Sequence, residues 1–219
     1  MKPIRRIIQL IARVYPTGAF PGKGSGSLSW ETDPFHVLIS TVLSQRTKDE
    51  NTHKASKRLF SRFDSPKALA DGHVEEIRSL IQAAGFPFAK SKAVKEIARI
   101  IHYDQGDVVP DNMESLLALP LVGRKTANCV LVYGFHQDAI PVDTHVHRVS
   151  NRIGLVSSRN PDETERELVK IIPKDLWRSV NTLFVSFGKG TCRPIRPRCE
   201  ECPITKYCDY YSTVFQKKC

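Results

Sequence analysis

Apolar residues recur at helical spacing along almost the whole chain, and no stretch sustains the apolar–polar alternation of a half-buried strand. Near the N-terminus Ile4, Ile7, Ile8, Ile11 and Val14 fall on one face, with Arg5, Arg6 and Arg13 off it. That is the pattern of an amphipathic helix docked on a core. Residues 16–29, rich in Gly and Ser, read as a loop. Asp33 and Pro34 then offer an N-cap and a first helical residue for 35–43, which is apolar nearly all round. Its β-branched residues would also suit a buried strand, but the cap and the length predict a central helix.

A polar break at 43–49 carries Gln45 and Arg46 and precedes a basic helix with Leu59, Phe60 and Phe63. Ser65 and Pro66 restart a helix, and Val74, Ile77, Leu80 and Ile81 form a stripe that ends at Gly85. Val94, Ile97 and Ile101 repeat it within 92–101. Further helices are predicted at 144–153, 161–172 and about 175–187, after which Gly188 and Gly190 introduce a cysteine-rich segment. The fold class is all-α, without internal repeats.

The chain is organised around Leu119-Pro120-Leu121-Val122-Gly123-Arg124-Lys125-Thr126-Ala127. A short helix over 113–118 leads into a tight turn from Pro120 to Gly123. A second helix over 126–133 stops at Gly134, read as a left-handed cap. Gly123 lacks a Cβ, so a phosphate can come close to the N–H groups that open the second helix. Arg124 and Lys125 add positive charge at the same end. The plain alternative is an ordinary helix hairpin with two solvated cations.

Charge sharpens this picture. The chain has 219 residues, with 33 Lys and Arg against 23 Asp and Glu, a formal charge of +10. Such a balance favours a polyanionic partner, most simply DNA or RNA. No apolar run approaches the length of a membrane span, and Arg13 sits where a signal peptide would be apolar. A soluble protein inside the cell is expected: cytoplasmic in a prokaryote, nuclear or organellar in a eukaryote.

Of 6 cysteines, four are spaced Cys192-x6-Cys199-x2-Cys202-x5-Cys208. With no export signal, a metal site is expected rather than a disulfide framework. Only Cys199 and Cys202 form the close pair that structural zinc usually uses twice, so four thiolates suit either zinc or a [4Fe–4S] cluster, with the spacing leaning to the cluster. Arg193, Arg196 and Arg198, stiffened by Pro194 and Pro197, make the loop between the first two cysteines a candidate phosphate clamp. A solvated basic loop is the alternative.

Lys125 and Asp143 form a second constellation. An amine at a helix N-terminus beside Arg124 is expected to favour its free form, which can attack carbon. Asp143 is expected to stabilise positive charge developing on a sugar and to handle protons, besides capping the helix at 144. His145 and His147 read as hydrogen-bonded structure.

These three segments, in this order, resemble the endonuclease III family of DNA glycosylases with lyase activity at abasic sites. Residues 119–127 look like its helix–hairpin–helix, residues 142–145 like its aspartate segment, and the cysteines match its [4Fe–4S] spacing. The resemblance implies two all-α lobes. A six-helix barrel would span 27–137, with the hairpin near 113–134, and an iron–sulfur cluster lobe would take 1–26 and 138–219. It implies a monomer acting on double-stranded DNA that holds a damaged base or abasic site. Lys125 would attack C1′, expel an oxidised pyrimidine and cut the strand by β-elimination, with Asp143 assisting. Gln45, Arg46, Leu121, Gly123, Arg124, Thr126, Arg193, Arg196 and Arg198 are the expected DNA contacts, Gln45 filling the space left by the flipped base. Family hairpins commonly carry glycine where Leu121 stands. A monofunctional adenine or mismatch glycosylase, which does not usually have a lysine at the Lys125 position, and a non-catalytic DNA-binding module are the rival readings.

Overall fold

A computed structural model of the chain describes residues 2–16 and 33–216. Most of the loop expected at 16–29 and the lone Cys219 lie outside them. Among the described residues every regular element is helical. The chain divides into two compact units: Pro21–Gln137, and Met1–Phe20 joined with Asp138–Cys219.

The 21–137 unit is built on α2, Pro34–Ser44. The Asp33 carboxylate accepts from the His36 N–H at 2.9 Å and Pro34 opens the helix, so the capping residues decide helix over strand. Phe35, Leu38, Ile39, Val42 and Leu43 of α2 are buried. Against it pack α3 (Asp49–Phe60), α6 (Pro87–Arg99) and α8 (Arg124–Cys129), while α4 (Pro66–Asp71) and α5 (Val74–Leu80) pack on α6 and α7 (Met113–Leu117) on α8. α6 begins five residues before the predicted stripe because Pro87 pre-sets its first turn.

The second hairpin helix also departs from expectation. It starts at Arg124, two residues early, and continues past Cys129 as a π-turn, Val130–Gly134. Gly134 is not left-handed. A Cβ there would stand 3.0 Å from Pro34 Cα, so this glycine serves close packing on α2 rather than a cap.

In the other unit α1 (Ile4–Val14) packs Ile4, Ile7, Ile8 and Ile11 into a core with α9 (Thr144–Ile153), α10 (Pro161–Ile171) and α11 (Trp177–Gly190). Val14, expected on the buried face, is instead 52% exposed, since α1 ends there. α11 runs through Gly188 and Gly190, where the sequence suggested a break. A Cβ at Gly190 would strike the Tyr15 ring, and one at Gly188 would lie 3.0 Å from His145 and Arg148, so both glycines admit neighbours to the helix surface.

Candidate functional site

In the 21–137 unit the hairpin turn joins α7 to α8, with Asn112 capping the first helix and Gly123 in extended conformation before the second. Lys125 is the second residue of α8 and is half-buried. A Cβ at Gly123 would meet nothing within 4 Å, so the protein leaves that side of the turn open. Leu121 takes a left-handed φ of 58° and is 46% exposed. This conformation costs an L-residue about 1–2 kcal/mol and suits glycine, the residue family hairpins commonly carry there. Leu121→Gly should therefore leave the thermal midpoint unchanged or higher, whereas Leu121→Val should lower stability by about 1 kcal/mol or more relative to it. Equal midpoints for the two variants would show that the turn carries no strain.

Gln45 meets this turn. Its Nε2 donates to the Leu121 carbonyl at 2.8 Å and contacts Thr126 Oγ1 at 3.2 Å. Three residues singled out as DNA contacts thus share one hydrogen-bonded group, with Lys125 beside Thr126 in the same turn of α8. Arg46 is exposed and also left-handed, with φ 51° and its guanidinium 5.8 Å from the Phe86 ring centre.

In the other unit Asp143 caps α9. Its Oδ1 accepts from the N–H groups of both His145 and Val146 at 2.8 Å. One carboxylate oxygen is thereby fixed. His145 is drawn into a structural contact, its Nδ1 lying 3.2 Å from Arg148 Nη2, and burial lowers its pKa below the usual histidine value. His147 Nδ1 pairs with Thr164 Oγ1 at 2.6 Å. Both histidines sit in hydrogen-bonded structure, as read from the sequence.

Cys192, Cys199, Cys202 and Cys208 line one cavity with Ile153, Phe187 and Ile204, and its empty volume is about 340 Å³, open mouth included. All four are free thiols. Burial pushes Cys202 up to about 11, and Cys199 and Cys208 are raised by burial and by neighbouring cysteines. Four cysteine sulfurs lining one cavity are donors of the kind that a metal group binds as thiolates. Among the described residues no three His, Cys, Asp or Glu side chains are grouped so as to hold a metal ion.

The loop between Cys192 and Cys199 is held by Arg152, a residue the sequence did not single out. Its guanidinium donates to the carbonyls of Arg193 at 2.6 Å and Pro194 at 2.9 Å, and lies 4.6 Å from the Tyr210 ring centre. Arg148 adds bonds to the Cys192 and Gly188 carbonyls at 3.0 and 2.9 Å. Arg193 and Arg196 are exposed on this loop, while Arg198 spends part of its charge on Glu201 at 3.8 Å.

Comparison with known proteins bears on what this arrangement does. The HhH-GPD superfamily base excision DNA repair protein family matches residues 39–174. Endonuclease III of Thermotoga maritima is 52% identical over 181 residues, 83% of this chain and 85% of that protein. The chain belongs to the endonuclease III family. It is similar, at TM-score 0.85 and 31% identity over 95% of both chains, to a trapped endonuclease III–DNA covalent intermediate. A thermostable thymine-DNA glycosylase matches at TM-score 0.80 and 26% identity, over 98% of this chain and 97% of that one. As an endonuclease III-family protein the chain is a base excision repair glycosylase/lyase. Among the described residues no helix is long and apolar enough to cross a membrane.

Proposed function

We propose that this chain removes oxidised pyrimidines of the thymine-glycol type from duplex DNA and then cuts the strand at the abasic site through a Schiff base on Lys125. The observation that carries this reading is the bonding of Gln45 to Leu121 and Thr126. It sets a side chain long enough to replace an extruded base on the turn that carries a candidate nucleophile. A damaged base is the cheapest to extrude, because its pairing and stacking are already weakened.

The Lys125 amine attacks C1′ as the bond from C1′ to the base breaks, and the departing base takes up a proton. Asp143, with one oxygen fixed by two N–H groups, stabilises the positive charge that develops on the sugar. The nitrogen gives up one proton, and as the C1′–O4′ bond breaks O4′ takes up a proton, leaving the C1′=N iminium of the Schiff base. Removal of a C2′ proton then expels the 3′ phosphate by β-elimination. Gly123, Arg124 and Thr126, with Arg193, Arg196 and Arg198 in the other unit, are the proposed backbone contacts, and Arg46 a further duplex contact. The 21–137 unit is the proposed barrel domain, and the other unit the cluster domain. The enzyme works as a monomer in whichever compartment holds the DNA.

Cys192, Cys199, Cys202 and Cys208 would hold a [4Fe–4S] cluster, which when bound supplies a rigid structural tie beneath the arginine loop. Their spacing, with only Cys199 and Cys202 forming a close pair, supports a multi-iron group over a single zinc, which usually draws on two such pairs. The purified protein should be brown and contain about four irons per chain, and Cys202→Ser should lose the colour and lower the melting temperature. A colourless wild-type protein with one zinc would reverse this assignment.

The function itself is tested by incubating the protein with an end-labelled duplex carrying one thymine glycol. The expected product is a strand broken on the 3′ side of the lesion, ending in an unsaturated aldehyde. Release of free base with an intact strand would instead make the chain a monofunctional glycosylase.

A further inference from the structure

One buried cation has no part in the mechanism above. Lys90, in the first turn of α6, is only 3% exposed. Its Nζ donates to the Leu43 carbonyl at 2.7 Å, the Gln45 carbonyl at 2.6 Å and Thr47 Oγ1 at 2.9 Å. An ammonium has three donors, and these three oxygens use all of them. None is a carboxylate. Burying a charge without a counter-ion is expensive, and a methionine would fill the same volume without that penalty. Burial lowers the Lys90 pKa to about 8, which still leaves it mainly charged at neutral pH. The cation therefore has a task beyond packing.

What it holds is the turn between α2 and α3. Thr47 Oγ1 also accepts from the Gly85 N–H at 3.0 Å and donates to the Gln45 carbonyl at 3.1 Å. A Cβ at Gly85 would lie 2.7 Å from the Arg46 carbonyl oxygen, so the two turns meet backbone to backbone. Arg46 and Phe86 are left-handed, with φ 51° and 59°, and Gln45 reaches on to left-handed Leu121, φ 58°. Three turns, each with an uncommon non-glycine conformation, are thus joined through Gln45, Thr47 and Lys90. Such conformations persist only where the surroundings over-determine them, and they cluster where a surface has work to do.

We infer that Lys90 is a positioning residue for duplex engagement: its three hydrogen bonds fix the 43–47 turn so that Gln45 and Arg46 are held ready beside the hairpin before DNA arrives. This rests on the proposed repair function. Lys90 itself touches no DNA and forms no bond to the sugar. Its contribution is to binding and not to the chemical step, because a pre-set turn spares the ordering that binding would otherwise require.

The test compares wild type, Lys90→Met and Thr47→Val at a temperature where each is folded. Two quantities are measured: the Kd for a duplex carrying a tetrahydrofuran abasic analogue, and the single-turnover rate of cutting a true abasic site at saturating enzyme. Lys90→Met should raise Kd by about tenfold or more, and Thr47→Val by about threefold, with both cutting rates within about threefold of wild type. Borohydride should still trap Lys90→Met on the abasic strand. An unchanged Kd in Lys90→Met, a cutting rate that falls as far as affinity does, or loss of trapping would each overturn the inference. If Lys90→Met does not fold, Thr47→Val decides alone, and an unchanged Kd there overturns it. A wild-type protein that cuts no abasic duplex overturns the repair reading and this inference with it. Normal cutting with unchanged affinity in the variants overturns this inference only.

Discussion

Lys125→Gln should abolish strand cleavage at an abasic site, a loss of about 10⁴-fold or more, while duplex affinity falls by no more than about threefold. Glutamine keeps the length and hydrogen-bonding capacity of the side chain but cannot form a Schiff base. Other groups hold the turn that carries it: Val122 N–H bonds Leu119 O at 3.2 Å, Ala127 N–H bonds Gly123 O at 2.9 Å, and Gln45 ties Leu121 to Thr126. Arg124 and the helix start, the proposed phosphate contacts, remain in place. Gel-shift titration alongside a nicking assay separates the two quantities. Equal losses in both would mean that Lys125 is a phosphate contact and that the chemistry lies elsewhere.

Asp143→Asn is expected to slow base release by about 10²–10⁴-fold and to leave the fold intact. An asparagine Oδ1 can accept the same two bonds from His145 and Val146, so α9 keeps its cap and only the charge is lost. Asp143→Ala removes both and should cost about 1 kcal/mol of stability in addition. Comparing thermal melts and glycosylase rates for the pair separates cap from catalyst. Base release by Asp143→Asn at the wild-type rate would leave Asp143 a structural residue.

The parts that could be read from the sequence are those fixed by local chemistry. Asp33 and Pro34 announced α2, and Asp143 announced α9, which spans Thr144–Ile153 as predicted. The hairpin was readable because turn residues and helix stripes are contiguous, and the four cysteines because their spacing is short. The parts that escaped depend on contacts between distant segments. Lys90 looks like any helix-face lysine until the fold brings it under Gln45, 45 residues away. Arg152 looks like a solvated cation at the end of α9, yet it bonds the carbonyls of Arg193 and Pro194. Gly188 and Gly190 read as breaks, but in α11 they admit His145, Arg148 and Tyr15, none of which is near them in sequence. Leu121 shows the opposite relation: the family pattern predicted a glycine-like position, and a left-handed leucine occupies it.

The most direct measurement for the central claim is borohydride trapping of the wild-type protein and Lys125→Gln on an oligonucleotide with one thymine glycol or abasic site. The account predicts a covalent protein–DNA adduct for wild type that is absent for Lys125→Gln. Peptide mapping should place the reduced bond on Lys125. Strand cleavage by wild type with no adduct, or an equal adduct in Lys125→Gln, would contradict it.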